Sequence, residues 1–180
     1  ATKGVLPPLQ LCNFFSSFFF AHHFLHFLLL IFISSQFVGR WYPLLLASND
    51  LESNSAAFIH SIDVKVNSLI FYFTLRTNGE CKQVAVFANK LENNKYKLRY
   101  PGNNILYVED ADPNDYLLIY TTNKIHGKET KGVELYSRQK GEIVNQEIKK
   151  KFEEMYKSYG IKKENVLDLT KTDPCERSLE

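Results

Sequence analysis

The sequence predicts an all-β domain with one C-terminal helix, arranged as an eight-stranded antiparallel up-and-down β-barrel. Three observations lead to this fold class. Between residues 41 and 138, short runs alternate apolar and polar residues, as strands with one buried face do. Turn-forming residues separate the runs, and one stretch with helical spacing follows them. Strands that follow one another through hairpins are typical of an up-and-down barrel.

Eight runs carry the strand pattern. They cover residues 41–47, 57–66, 69–77, 81–89, 96–100, 105–109, 116–122 and 132–138. In the third run, Phe71 and Phe73 share one face because side chains alternate along a strand. Asn78 and Gly79 follow this run and predict a two-residue hairpin, because both residues tolerate a positive φ angle.

The predicted helix follows the last of these strands. Asn145 suits its N-terminal cap, and Gly160 suits a left-handed stop at its end. Between them, apolar residues recur at helical spacing, at Ile148, Phe152, Met155 and Tyr159. We expect this stripe to pack on the barrel. Residues 166–169 predict a short ninth strand.

Charge and motifs exclude several classes of function. The formal net charge is only +2, from 22 basic and 20 acidic side chains, so the sequence lacks the basic excess of a nucleic-acid-binding protein. The densest basic run, residues 149–151, lies among glutamates in the helical pattern, as on a solvated helix face. No nucleophile-elbow, zinc-protease or phosphate-loop motif occurs. We therefore expect no enzyme, no cofactor and no nucleic-acid partner.

Residues 1–36 form a separate apolar N-terminal segment. Residues 4 to 39 contain no Asp, Glu, Lys or Arg. Three interpretations stay open: a signal peptide with residues 24–33 as its apolar region, translated non-coding sequence, or a membrane anchor. His22, His23 and His26 have no carboxylate or cysteine ligands near them in the sequence, so we expect no metal. We expect protein isolated from fluid to begin near residue 36 or to have a different N-terminus, with residues 37–180 as the barrel domain, helix and tail.

Three separated motifs occur along the chain: a Gly-x-Trp in the first strand, a Leu-Tyr-Ser-Arg in the last long strand, and two cysteines, one between these motifs and one beyond them. The residues are Gly39, Trp41, Leu135, Tyr136, Ser137, Arg138, Cys81 and Cys175. With the order of barrel, helix, short strand and cysteine-containing tail, these motifs resemble the lipocalins. The resemblance is strongest to the urinary pheromone-binding, salivary and odorant-binding group, which includes mammalian allergens. It covers roughly residues 37 to 177.

The resemblance implies structural roles for five of these residues. Trp41 and Arg138 would stack at the closed end of the barrel, and Gly39 would let the backbone bend into the first strand. Cys81 and Cys175 would form a disulfide between the barrel and the tail, which implies an oxidising compartment. The alternative for the two cysteines is a pair of unrelated thiols. A paired Cys81 would also leave no barrel cysteine for the isomerase chemistry of one lipocalin branch.

The resemblance also implies an almost entirely apolar ligand site inside the barrel. Its candidate residues are Ala57, Ile59, Phe71, Phe73, Val86, Leu98, Tyr100, Leu106, Ile119 and Tyr136. Tyr136, and less strongly Tyr100, would donate a hydrogen bond to a ligand. The implied function is a secreted, extracellular carrier of small hydrophobic odorants or pheromones, active as a monomer or weak dimer without a membrane partner. The alternative is a secreted lipocalin that acts through protein partners, as an inhibitor or receptor ligand.

Two stretches depart from the lipocalin pattern. Ala111, Asp112 and Pro113 stand where the family often has Thr-Asp-Tyr, so the acidic residue is kept and the tyrosine is lost. The stretch between Ala47 and Ser55, which would form the lid over the open end, is short. A short lid predicts a more exposed pocket.

Overall fold

A computed structural model gives the structure of residues 35–51, 55–65, 68–141, 145–170 and 175. Within these ranges, ten strands form one antiparallel sheet. They are β1 (Gly39–Arg40), β2 (Tyr42–Ser48), β3 (Ser55–Lys65), β4 (Ser68–Thr77), β5 (Glu80–Lys90), β6 (Lys95–Leu98), β7 (Asn103–Asp112), β8 (Tyr116–Ile125), β9 (Lys128–Ser137) and β10 (Val166–Asp168). Helix α1 (Gln146–Ser158) and a 3₁₀ turn (Lys163–Asn165) separate β9 from β10.

The first strand joins the two ends of the curled sheet. The strand order is β1-β3-β4-β5-β6-β7-β8-β9-β2-β10, so β1 pairs with β3 while β2 pairs with β9. Only Trp41 separates β1 from β2, and its backbone N–H donates to the His60 carbonyl at 3.0 Å. The predicted first strand, residues 41–47, corresponds to Trp41 and β2, and β1 precedes it. Strand β10 is the predicted ninth strand. The predicted barrel fold is confirmed.

Several strand boundaries differ from the sequence prediction. Strands β7, β8 and β9 run further towards their hairpins than predicted, and their outer parts pair through the backbone although the side chains there are mostly polar. The predicted strand over residues 96–100 ends at Leu98, because Pro101 has no backbone N–H and Gly102 adopts a φ of 91°. Val66, the predicted end of the second strand, lies outside the described residues.

The residues predicted to form the hairpin turn and the two helix ends adopt the expected conformations. Asn78 and Gly79 have φ angles of 51° and 81° between β4 and β5. The Asn145 side chain accepts a hydrogen bond from the Glu147 N–H and caps α1. Gly160 has a φ of 74° just beyond the helix. These local signals therefore fix the turn between β4 and β5 and both ends of α1.

Two apolar clusters sit on either side of the sheet. One fills the barrel beside Trp41, and the other lies between the outer face of the barrel and α1. Ile148, Phe152 and Tyr156 are the buried residues of α1, while Met155 and Tyr159 pack at the edge of the second cluster. The Tyr159 ring stacks on Tyr120 with 3.7 Å between ring centroids. The helix therefore buries the outer face of β8 and β9.

A disulfide ties the tail to the barrel. Cys81 in β5 is bonded to Cys175, across a sequence separation of 94 residues. Such a bond removes conformational freedom from the unfolded chain, and a loop of this length corresponds to about 4–5 kcal/mol in the chain-entropy description. The pairing implied by the family resemblance is therefore present in the structure.

Candidate functional site

The closed end of the barrel is built around Trp41 and Arg138. Trp41 is completely buried, and the guanidinium carbon of Arg138 lies 3.8 Å from the centroid of the indole. The indole Nε1–H donates to the Phe37 carbonyl at 2.9 Å. The stacked cation therefore closes this end of the barrel over the indole, and its position adds a cation–π contact to the packing.

Arg138 also gathers backbone carbonyls from separate segments of the chain. Its guanidinium donates to the carbonyls of Pro113 and Arg40, both at 2.8 Å, and to those of Gln36 and Val38 at 3.1 and 3.2 Å. The rigid fork of five N–H donors is suited to such multiple contacts. The positive charge at the closed end is thus surrounded by acceptors that the protein itself supplies.

Gly39 makes this arrangement possible in two ways. Its φ angle is +109°, a conformation that residues with a Cβ rarely adopt. A Cβ built there would also lie 3.3 Å from Nη1 of Arg138. The glycine therefore provides both the bend into the first strand and room for the guanidinium.

The departure at residues 111–113 is compatible with the closed end. The Pro113 carbonyl, rather than a side chain of this turn, accepts the hydrogen bond from Arg138 Nε. The Asp112 carboxylate accepts from the Asn114 N–H at 2.9 Å and stabilises the turn. The contact with Arg138 therefore needs no tyrosine at position 113.

A cavity of about 190 Å³ lies inside the barrel, away from the closed end. A wider outer cavity of about 470 Å³ adjoins it and shares Ala57, Tyr100 and Glu134 among its lining residues. Leu51 and Thr77 border the outer cavity. Residues 52–54 of the predicted lid stretch lie outside the described residues.

The structure divides the ten predicted ligand residues into two groups. Five line the inner cavity: Ala57, Phe73, Val86, Leu98 and Tyr100. The other five lie in the packed interior cluster that contains Trp41: Ile59, Phe71, Leu106, Ile119 and Tyr136. All ten belong to the barrel interior or its mouth, but the deeper side chains fill space rather than border it. Ligand contact stays a prediction for every member of the set.

The inner cavity has two chemically different walls. The apolar wall comes from β3 to β6 and consists of Ala57, Phe73, Leu75, Val84, Val86 and Leu98. The wall from β7 to β9 is mainly polar and consists of Asn104, Ile105, Thr121, Thr122, Asn123, Thr130 and Glu134. The sequence analysis found the apolar wall only. The cavity is therefore suited to a ligand that has one apolar part and at least one polar group.

Glu134 is the ionisable group of the polar wall, and only 7% of its surface is exposed. Its carboxylate accepts a hydrogen bond from the Tyr136 hydroxyl and one from Thr121 Oγ1 at 3.3 Å. The Tyr136 oxygen in turn accepts from the Ile59 N–H at 3.0 Å. The Tyr136 proton is therefore engaged by Glu134, so the carboxylate is a second polar group of this wall beside the predicted tyrosine hydroxyl.

Burial controls the titration of this pair. It raises the pKa of Glu134 to about 7, although the hydrogen bonds from Tyr136 and Thr121 act in the opposite direction. Burial, together with the neighbouring Glu134 charge, raises the pKa of Tyr136 well above its ordinary value. The proton between the two groups therefore stays on Tyr136 when Glu134 is ionised.

Sequence reasoning missed Glu134, although one signal pointed to it. Gly132, Glu134 and Tyr136 are two residues apart on β9, and such residues share a face of a strand. Once Tyr136 was placed inside the barrel, the same rule placed Glu134 there as well.

Across residues 35–51, 55–65, 68–141, 145–170 and 175, no group of three or more His, Cys, Asp and Glu side chains is placed to hold a metal ion. His22, His23 and His26 lie outside the described residues. The described part of the chain includes no helix with the length and apolar character of a membrane span.

A small antiparallel barrel with one closed end, an interior cavity and a helix packed outside defines a class of ligand-binding barrels. Comparison with known proteins gives the family. Residues 38–173 match the Lipocalin / cytosolic fatty-acid binding protein family, and the chain belongs to that family.

The chain is similar to several characterised lipocalins. It is 34% identical to major urinary protein 4 of Mus musculus over 148 residues, which are 79% of this chain and 82% of the relative. It is 35% identical to the salivary lipocalin of Sus scrofa over 150 residues, 80% of this chain and 78% of the relative. Among solved structures, the milk whey lipocalin trichosurin of Trichosurus vulpecula, with bound 4-ethylphenol, matches with a TM-score of 0.65 and 34% identity. That match covers 74% of this chain and 96% of trichosurin.

Proposed function

We propose that this protein is a secreted carrier that holds a small, mainly apolar ligand of odorant or pheromone size inside its barrel, without a covalent bond. The observation that carries the proposal is the inner cavity of about 190 Å³ with one apolar and one polar wall. Barrels of eight strands have interiors wide enough for one small ligand. The 4-ethylphenol held by trichosurin has this character, an apolar body with one hydroxyl.

The disulfide supports secretion. A bond such as Cys81–Cys175 persists in oxidising compartments, including the extracellular space. The names of the urinary and salivary relatives point the same way. The expectation that residues 1–36 are absent from protein isolated from fluid stays a prediction, which N-terminal sequencing of such protein tests directly.

The expected affinity is that of a carrier which also releases its ligand. A contribution of about 0.8 kcal/mol per non-hydrogen ligand atom lies within the usual range. A ligand of about ten such atoms then binds with about 8 kcal/mol, which is near micromolar affinity. A ligand held at this strength exchanges with its surroundings.

Displacement of an apolar fluorescent probe by 4-ethylphenol tests the proposal. We expect the oxidised chain to bind the probe saturably, and 4-ethylphenol to displace it at micromolar concentration. Val86→Phe places a ring in the inner cavity, which Val86 lines, and we expect it to weaken probe binding by about tenfold or more. Ala85→Phe is the matched control, because Ala85 is exposed and neighbours Val86 on the same strand. Absence of saturable binding, or equal loss in the two variants, would rule out a carrier that uses this cavity.

A further inference from the structure

Glu134 places an uncompensated negative charge in the polar wall. Within the described residues, its carboxylate contacts hydroxyl and not cationic partners: Tyr136 and Thr121. Among the described residues, the titratable group facing it from its own strand is Tyr136, and β8 and β3 donate to this pair through the Thr121 hydroxyl and the Ile59 N–H. A buried carboxylate without a cation is costly, so this site is complementary to a positively charged group.

The charged side chains at the outer cavity are engaged elsewhere. Lys131 Nζ lies 3.9 Å from Glu129, and Asp50 lies 2.7 Å from Lys128 Nζ. Both Lys131 and Asp50 border the outer cavity but not the inner one. No cation of the described residues contacts Glu134, so the cation that the geometry there could accept is one that enters with a ligand.

Space beside the carboxylate is preserved by Gly132. A Cβ at this position would lie 2.8 Å from Thr121 Oγ1 and 3.6 Å from Glu134 Oε1. The glycine therefore leaves both oxygens without a side chain between them. The Thr121 hydroxyl donates to Glu134, so its lone pairs stay able to accept a hydrogen bond from a ligand.

We propose that the cavity selects amines: Glu134 and the Thr121 hydroxyl hold a protonated amino group, and the apolar wall holds the alkyl or aryl part. This proposal rests on the proposed carrier function and specifies the class of its ligand. An ammonium group has three N–H donors and no acceptor, which matches two adjacent acceptors. Charge-assisted hydrogen bonds are about twice as strong as neutral ones.

The proposal fixes the sign of the pH dependence. The amine binds the ionised carboxylate, and in the empty protein burial holds the pKa of Glu134 near 7. Below that pH a proton competes with the amine, so amine affinity falls as pH decreases. Above it, affinity stays constant until the amine itself loses its proton. A neutral alcohol of the same length has no such dependence.

The test compares octylamine with 1-octanol as competitors of a neutral fluorescent probe in the oxidised full chain. At pH 8 we expect octylamine to bind about tenfold more tightly than 1-octanol, because desolvation of the ammonium offsets part of the charge-assisted bond. At pH 5.5 we expect octylamine affinity to fall by about thirtyfold, which removes this advantage, since pH 5.5 lies about 1.5 pH units below the pKa of about 7.

Glu134→Gln keeps the shape and removes the charge, so we expect it to abolish both the octylamine advantage and its pH dependence. Glu92→Gln is the matched control, because Glu92 is exposed between β5 and β6 and lines neither cavity. Unchanged 1-octanol affinity shows that a variant is folded, and the pH profile of the unaltered chain is a readout that needs no variant.

If 1-octanol binds but octylamine has no advantage, or if Glu134→Gln keeps the octylamine advantage, the amine proposal is wrong and the carrier proposal stands. If neither competitor binds, both proposals fail.

Discussion

The closed end and the cavity of this barrel treat a charged side chain in opposite ways. At the closed end, Arg138 lies on Trp41 and donates to four backbone carbonyls from the first strand region and the β7–β8 turn. In the cavity, Glu134 receives two hydroxyl donors and, within the described residues, no cation. The protein completes the first arrangement itself, which is what a structural element needs. It leaves the second incomplete, which is what a binding site needs.

The largest effect should come from removing the indole at the closed end. Trp41→Ala deletes a completely buried side chain, and we expect it to lower the free energy of unfolding by about 3–5 kcal/mol. Phe73→Ala should cost about half as much or less, because Phe73 is only partly buried and borders the cavity. Denaturant unfolding measures both changes. Equal losses of unfolding free energy would show that the cavity wall is packed as tightly as the closed end, which would contradict the contrast between the two regions.

The charge in the cavity should reduce stability at neutral and alkaline pH. Burial raises the pKa of Glu134 from 4.5 to about 7, so between these pH values the folded state holds a proton that the unfolded state has lost. Stability therefore falls as pH rises from about 4.5 to about 7, by about 3 kcal/mol in total, and then stays level.

Glu134→Gln should remove this loss. We expect the variant to be more stable than the unaltered chain at pH 8 and close to it near pH 4.5, as measured by chemical denaturation at both pH values. A variant that is less stable at pH 8 would indicate that the carboxylate contributes to the fold in the way Arg138 does.

Arg138→Lys should lower the free energy of unfolding, whereas Glu134→Gln should raise it at pH 8. Lysine keeps the positive charge but cannot reproduce the planar fork that reaches four carbonyls. We expect a loss of about 2 kcal/mol in unfolding free energy, with probe affinity almost unchanged because Arg138 does not line the cavity. A change in affinity without a change in stability would assign a ligand-binding role to the closed end.

The smallest effect should come from Gly39→Ala. Alanine must adopt a φ near +109° and bring its Cβ to 3.3 Å from the guanidinium, which costs about 1–2 kcal/mol. A melting curve compared with that of Gly79→Ala separates the two causes. Gly79 also has a positive φ, but a Cβ there meets no atom within 4 Å. Equal losses of stability in the two variants would show that the positive φ angle alone accounts for the cost at Gly39.

Much of the fold could be predicted because its signals are local. Asn78 and Gly79 supply positive φ angles for a hairpin, and Asn145 supplies a helix cap. Alternation located the strands wherever one face was apolar. The outer parts of β7, β8 and β9 were missed, because backbone pairing extends there through polar residues that resemble loops in the sequence.

The site was harder to predict, because β9 is buried on both faces. Val133 and Leu135 face the cluster under α1, while Glu134 and Tyr136 face the interior, and all four are less than 9% exposed. With both faces buried, the alternation that distinguishes inside from outside disappears. The polar wall also breaks the rule that interiors are apolar, and its role becomes visible only when β8 and β9 are placed side by side.

The ionisation of Glu134 in the empty protein is the most direct test of the contrast between the two ends. Selective ¹³C labelling of glutamate carboxyls follows each group through a pH titration by NMR, and Glu134→Gln identifies the signal. We expect this carboxyl to titrate with a midpoint of about 7. A midpoint near the ordinary value of 4.5 would mean that the carboxylate is solvated or paired with a cation of the protein, and would contradict an uncompensated charge in the cavity.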